Sequence, residues 1–271
     1  MVIENSRTVA LVMLVAALAT GCATVVAPTD PAALPQVRPN YVIGYLEPAE
    51  LPDSRALVPV PPAASSAALA ADEETYRTTR KLFSTPRGAL ATKDASLDFP
   101  GAADTYSCAL DMPVTAEGTP HLYMLLRRVR ADASRATDKA KDFYQRRRPF
   151  MAHGDQSCTP AEKMKDDSYP SGHSSIGWAW ALVLTELAPD RANAILPRGA
   201  AFGQSRVICG VHWQSDVEAG RLVGAATVAR LHVNPVFKAQ LAVARKEIEA
   251  ARAAGAKPLL NCATEAQILG K

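Results

Sequence analysis

The chain has 271 residues, 48% of them hydrophobic, and a formal net charge of +3 at pH 7. A chain of this size can bury a core without metal or disulfide support, and one catalytic domain is the simplest division. Its 30 basic and 27 acidic residues are dispersed rather than gathered in a tail, so composition gives no case for nucleic-acid binding, and any anion selectivity must come from a local site.

Met1 to Arg7 carries one base offset by Glu4 and leads into an apolar run over 8–18. That run is short for a bilayer span, so residues 1–22 read as an export signal. Ala19-Thr20-Gly21-Cys22 has the form of a bacterial lipobox, in which Cys22 would be acylated and become the new N-terminus. Ala17-Leu18-Ala19 suits an ordinary signal peptidase instead. Either processing places the mature protein in the periplasm, anchored through Cys22 or free. Export also sets the redox compartment. Cys108, Cys158, Cys209 and Cys262 then remain, an even number, so two disulfides are expected with the pairing open. No two of these cysteines have the close spacing of a zinc site.

Residues 23–40 are rich in alanine and proline and read as a tether. The stretch 51–64, with Pro59, Pro61 and Pro62, should run extended over the surface. From Ser65 the apolar spacing turns helical and predicts helices near 67–82, 120–147, 174–187, 190–208, 216–231 and 235–254. Pro149, Pro189 and Pro235 punctuate them. The apolar stretches 176–184 and 222–231 are bounded by charged residues and fall short of the roughly 20 residues a spanning helix needs. The expected fold is all-α, a single-domain helical bundle over 41–254 with a tail at 255–271.

Three segments carry chemistry. Lys141 and Arg148 are seven residues apart, close to two helical turns, so a continuous helix ended by Pro149 would project both cations from one face. Ser168-Tyr169-Pro170-Ser171-Gly172-His173 directly precedes an apolar helix. Free backbone N–H groups there can hold an anion, Ser171 can donate a hydroxyl, and Gly172 lets an oxyanion approach. His173 can move a proton in the physiological range. In the third segment Arg206 offers a planar fork for phosphate oxygens. His212 and Asp216, four residues apart, can pair so that one imidazole nitrogen is held and the other is presented as a nucleophile. Taken singly, each has a bland reading: a solvated basic face, an ordinary N-cap, a surface i,i+4 ion pair.

Together, Lys141, Arg148, Pro149, Pro170, Ser171, Gly172, His173, Ser205, Arg206, His212 and Asp216 follow the order and spacing of a three-part signature. In this the chain resembles the type 2 phosphatidate phosphatase superfamily, which also holds the vanadium haloperoxidases. It is most similar to the bacterial class A non-specific acid phosphatases, through residues 168–178 and 203–210. Leu57, Pro59, Pro61 and Pro62 before Asp72, Tyr76 and Arg80 add to the match, so the resemblance covers about 41–246.

The resemblance implies hydrolysis of phosphate monoesters with no metal or other cofactor. Lys141, Arg148 and Arg206 would hold the phosphate oxygens, with Ser171 and the Gly172 N–H completing the cradle. His212 would attack phosphorus, Asp216 would orient it, and His173 would protonate the leaving alkoxide and then activate water. Phosphoryl transfer to a sugar or nucleoside hydroxyl is compatible with the same steps. Relatives form dimers or larger assemblies, so a homo-oligomer is expected. One departure stands out. The family has glycine where this chain has Asp167, and a carboxylate there would either weaken binding of multiply charged substrates or point to solvent. His121, His153 and His232 lie outside the signature and read as structural or surface residues. Three rival readings fit less well. A vanadate-dependent haloperoxidase, with His212 as ligand, calls for a longer chain. An integral lipid-phosphate phosphatase calls for spanning helices. A non-catalytic phosphate-binding module has no need of two histidines.

Overall fold

The computed structural model describes residues 34–160 and 164–270; Cys22, the export signal and most of the expected tether lie outside the described residues. The tether's far end forms a small antiparallel pair, β1 (Gln36–Arg38) with β2 (Tyr41–Val42). The chain turns between them at Asn40, whose φ of 65° is in the left-handed region that asparagine tolerates.

The other described elements are helices, as expected for an all-α chain. They are α1 (Ser54–Leu57), α2 (Ala67–Arg80), α3 (Pro86–Lys93), α4 (Ser107–Leu110), α5 (Pro120–Arg135) and α6 (Asp138–Tyr144). After these come α7 (Pro149–His153), α8 (Gly172–Leu187), α9 (Ala192–Ile208), α10 (Gln214–Leu231), α11 (Pro235–Ala253) and α12 (Cys262–Ile268). Several starts have a side-chain cap: Asp53 accepts from the Arg55 and Ala56 N–H groups, Ser66 from Leu69, and Asn234 from Val236 and Phe237.

Helix α8 is the centre of the bundle, in contact with α5, α9, α10 and α11. Its sequence explains the position. Ile176, Ala179, Trp180, Ala181, Val183 and Leu184 leave little polar face, so the helix is stable only when covered on nearly every side. Glycines set how closely the neighbours come. A Cβ on Gly220 would lie 2.3 Å from the Ser171 carbonyl oxygen, and one on Gly224 would lie 2.4 Å from that of Ser175. This approach presses the start of α8 onto the start of α10, where the Ser171 N–H donates to the Asp216 carbonyl at 2.9 Å.

One expected helix does not form as such. The span predicted as continuous over 120–147 is broken twice. At the end of α5 the Thr137 hydroxyl bonds the Ser134 carbonyl at 2.7 Å, a local side-chain bond that competes with helix continuation. Helix α6 then stops where Gln145 takes φ 45°, a left-handed cap. Lys141 and Arg148 therefore share no helix face. Arg148 is the extended residue before α7, and Pro149 opens that helix at its first position instead of ending one. Helices α1, α3, α4, α7 and α12 escaped prediction, α1 within the 51–64 stretch expected to run extended, because one or two turns give too little periodicity to read.

The cysteines pair as Cys108–Cys262 and Cys158–Cys209. The first ties α12, within the span expected to be a tail, back to α4. The second fastens the loop after α7 to the end of α9, beside Arg206. Among the described residues no helix is long and apolar enough to cross a membrane.

The close helix contact generates a stability prediction. Gly224→Ala forces a methyl group against backbone that cannot rotate away, so unfolding free energy should fall by about 1–3 kcal/mol, the usual cost of overpacking. Urea unfolding under oxidising conditions reads this as a lower midpoint at constant m; an unchanged midpoint would mean that α8 and α10 can separate freely.

Candidate active site

The signature residues converge on one cavity of about 460 Å³. Its wall includes Lys141, Arg148, Asp167, Gly172, His173, Arg206 and His212, with Tyr41, Leu97, Met164 and Ile176 as an apolar side. Lys141 comes from α6, Arg148 from the turn before α7, Gly172 and His173 from the first turn of α8, Arg206 from the last turn of α9, and His212 from the loop before α10.

The connecting segments are tied down by bonds between distant parts of the chain. The Arg146 carbonyl accepts from the Ser168 N–H at 2.9 Å, and the Arg147 carbonyl from the Trp213 indole at 3.0 Å. Arg148 itself is buried. Its Nε donates to the Lys165 carbonyl and its Nη1 to the Val211 carbonyl, both at 2.8 Å, and its Nη2 meets Asp167 Oδ1. Lys141 Nζ donates to the Asp167 carbonyl. Arg206 is different. It is also buried, yet its Nε and Nη1 have no hydrogen-bond partner among the described residues. Buried donors left open beside a cavity are what an anion site requires, since leaving them unsatisfied is costly.

His212 has its two ring nitrogens in different surroundings. Nδ1 lies 3.5 Å from Asp216 Oδ2 and 3.4 Å from the Ser168 hydroxyl; Nε2 lies 3.3 Å from Arg148 Nη1. A guanidinium can only donate, so Nε2 must accept and the ring proton resides on Nδ1. Asp216 is itself fully buried and fully engaged. Oδ2 accepts from the Trp213 N–H at 2.7 Å and from the Ser168 hydroxyl, and Oδ1 from Arg146 Nη1 at 2.7 Å. Arg146 also bonds Asp72, which in turn accepts from the Ser215 N–H and hydroxyl.

His173 is anchored from the opposite side. Its Nε2 donates to the Ala95 carbonyl at 3.0 Å, so Nδ1 is the nitrogen that can gain and lose a proton. The turn that supplies Ala95 is held by its neighbour Asp94, which accepts from Arg198 and from the Ser205 hydroxyl. Ser171 plays a narrower part than the sequence suggested. It is fully buried and caps α8, accepting from the Ser174 N–H at 3.2 Å and the Ser174 hydroxyl at 2.9 Å. Its own hydroxyl proton is not used in these bonds.

The clustered cations act on one another. Desolvation and the neighbouring Arg148 hold Lys141 at a pKa of about 8. Burial and Arg148 also pull Arg206 downward. Burial followed by the Arg206 charge lowers His173 well below its ordinary value, and burial followed by Arg148, Lys141 and Arg206 does the same to His212. Both shifts favour the neutral imidazole. Each neutral ring has a lone pair able to attack an electrophile or accept a proton, beside three cations able to offer charge to an oxyanion.

All eight signature side chains and glycines expected at the site thus gather within it or in its immediate support. Spacing alone did not point to Ser168, Arg146 and Trp213, which hold Asp216, or to Asp94, which sets the His173 anchor. Arg146 stands in a run of three arginines, and nothing local separates its inward role from that of Arg147. Asp72 entered only through the family match. The remaining histidines are accounted for elsewhere: His121 meets Gln240, His153 pairs with Glu73, and His232 with Glu186.

The PAP2 superfamily profile matches residues 122–238, which contain every one of these cavity cations and both histidines. The chain is 45% identical over 207 residues to a non-specific acid phosphatase of Providencia stuartii, covering 75% of this chain and 84% of that protein. It is 40% identical over 201 residues to an acid phosphatase of Zymomonas mobilis subsp. mobilis, covering 73% and 76%. Against the non-specific acid phosphatase of Salmonella typhimurium it is 38% identical over 208 residues, covering 75% and 83%.

Anion binding should report on Lys141. With its pKa lowered to about 8, the ammonium is charged below that pH and neutral above it. Affinity for sulfate, a dianion of constant charge, should therefore fall as pH rises through about 8 and be flatter across that range in Lys141→Met. At sulfate one hundred times its Kd, binding should add about 2.7 kcal/mol to stability on the acid side. Calorimetry that finds equal affinity at pH 7 and pH 9.5 would exclude this role for Lys141.

Proposed function

We propose that this chain, which belongs to the PAP2 superfamily and is an acid phosphatase, cleaves phosphate monoesters by way of a phosphohistidine on His212. The observation that carries the reading is the orientation of that ring. Arg148 lies against Nε2 and the Asp216–Ser168 pair against Nδ1, so the nitrogen lone pair faces the cationic cavity.

The steps follow from the named groups. Lys141, Arg148 and Arg206 take the non-bridging oxygens, with the Gly172 N–H and the Ser171 hydroxyl completing the cradle. His212 Nε2 attacks phosphorus as the bond to the ester oxygen breaks. The imidazolium that forms keeps its Nδ1 proton directed at Asp216, whose charge stabilises it. His173 gives a proton to the departing alkoxide, then takes one from a water that attacks the phosphohistidine. Inorganic phosphate leaves and His212 returns to its neutral form.

The proton supply favours acid conditions. Burial and the Arg206 charge hold His173 well below its ordinary pKa, so the proton it passes on comes with the substrate or from solution. A phosphate ester carries that proton below its second pKa of about 6 and has lost it above. Charge stabilisation by three side chains does not call on a metal ion, and the reaction is read as metal-independent. Residues 1–22 are read as an export signal, so the enzyme works in the periplasm, with Cys22 as the candidate lipid anchor.

Assay of the purified protein with p-nitrophenyl phosphate tests the reaction. Activity should survive EDTA and be inhibited by vanadate, and no bromide oxidation should occur with vanadate and peroxide. His212→Ala should remove both turnover and phosphoenzyme. His173→Ala should slow hydrolysis of alkyl phosphates by roughly 10²–10⁴-fold, the usual contribution of general acid catalysis. With p-nitrophenyl phosphate, whose leaving group needs little protonation, the same variant should accumulate phosphohistidine on rapid quench. A phosphoryl label on Ser171, or activity lost to chelator and restored by zinc or magnesium, would refute the scheme.

Location has its own test. Cys22→Ala should abolish lipid labelling and move the protein to the soluble periplasmic fraction. An unlabelled wild type with unchanged fractionation would point to cleavage after Ala19.

A further inference from the structure

Arg148 has five N–H donors, and four are committed before any ligand arrives. Nε serves the Lys165 carbonyl, Nη1 serves the Val211 carbonyl and faces His212 Nε2, and one Nη2 hydrogen is given to Asp167 Oδ1. A single Nη2 hydrogen is left for a phosphate. Arg206, by contrast, keeps Nε and Nη1 unpartnered among the described residues. The cavity is therefore open to an anion at Arg206 and already occupied by one at Arg148.

The occupant is built to leave. The Asp167 carboxylate is in the cavity wall, yet its side chain is 38% exposed, so it can turn to water with little desolvation to overcome. The main chain of the same residue is pinned separately: its carbonyl takes the Lys141 ammonium, and the neighbouring Ser168 N–H bonds the Arg146 carbonyl. Nor does Arg148 depend on the carboxylate for its position, since the Lys165 and Val211 carbonyls already fix the guanidinium plane.

We propose that Asp167 is a specificity-determining residue whose carboxylate stands in for a phosphate oxygen on Arg148, so that an incoming phosphate must displace it or bind beside it. This rests on the reading of the cavity as a phosphate-monoester site. Two consequences follow from charge. The site holds free inorganic phosphate weakly, which speeds release of product. It also disfavours substrates with further negative charge close to the transferred group, such as pyrophosphate, relative to singly phosphorylated esters.

Calorimetry with inorganic phosphate and with pyrophosphate, at fixed pH and ionic strength, tests this on the wild type, Asp167→Asn, Asp167→Gly and Asp167→Glu. Kinetics with p-nitrophenyl phosphate run alongside. Removing the charge should tighten phosphate binding by about tenfold, the lower end for a partly exposed like-charge contact, and pyrophosphate binding by more. Product inhibition should strengthen in the same two variants, while Asp167→Glu, which keeps the charge, should stay close to wild type. The asparagine and glycine variants guard against a folding defect peculiar to either. If both bind phosphate no tighter, or bind it more weakly with a lower kcat, the carboxylate supports Arg148 and the inference is overturned. A wild type that neither binds phosphate nor hydrolyses p-nitrophenyl phosphate would instead remove the phosphatase reading itself.

Discussion

A carboxylate with no access to water governs this site. Asp216 is fully buried, and a buried carboxylate is tolerated only when its lone pairs are taken by donors and its charge is balanced. Meeting that demand brings two distant segments, Arg146 from the turn after α6 and Ser168 from the loop before α8, onto the head of α10, where His212 and Trp213 supply two further contacts. The Asp216 carbonyl adds a fifth link by accepting from the Ser171 N–H at the start of α8. The same contacts that stabilise the charge also orient the His212 ring, so the structural and positioning roles of Asp216 coincide.

The cations present the opposite problem. Lys141, Arg148 and Arg206 repel one another and lie partly desolvated in a shared cavity, which lowers the pKa of Lys141 and Arg206. Backbone carbonyls restrain Lys141 and Arg148, but Nε and Nη1 of Arg206 have no partner among the described residues. An anion of the right shape would relieve the repulsion and satisfy these donors together. This is the usual trade between stability and function at a catalytic centre, with the rigid α8–α9–α10 packing carrying the cost.

The helical class and most long helices were legible because apolar periodicity is a local property. Helices α8, α9, α10 and α11 begin or end within about two residues of the predicted bounds. The failure over 120–147 has a local cause as well. Periodicity continues smoothly through Thr137 and Gln145, while a hydroxyl bond and a left-handed residue end the two helices. The inference that Lys141 and Arg148 share a helix face was therefore wrong in route, although both residues reach the cavity. Short helices such as α3 and α12 left no readable period, and the Cys108–Cys262 bridge ties α12 to a distant segment.

By itself, the sequence determined what depends on residue type and on spacing within one segment. It set the small-residue start of α8, the four-residue step from His212 to Asp216, and the presence of three cations and two histidines in a fixed order. Tertiary structure alone decided which nitrogen of each histidine is available, which cysteines pair, and that Asp167 turns onto Arg148. The reason is the distance along the chain. The His173–Ala95 bond spans 78 residues and the Ser215–Asp72 bond spans 143, and no local pattern encodes a partner that packing alone brings within 3 Å.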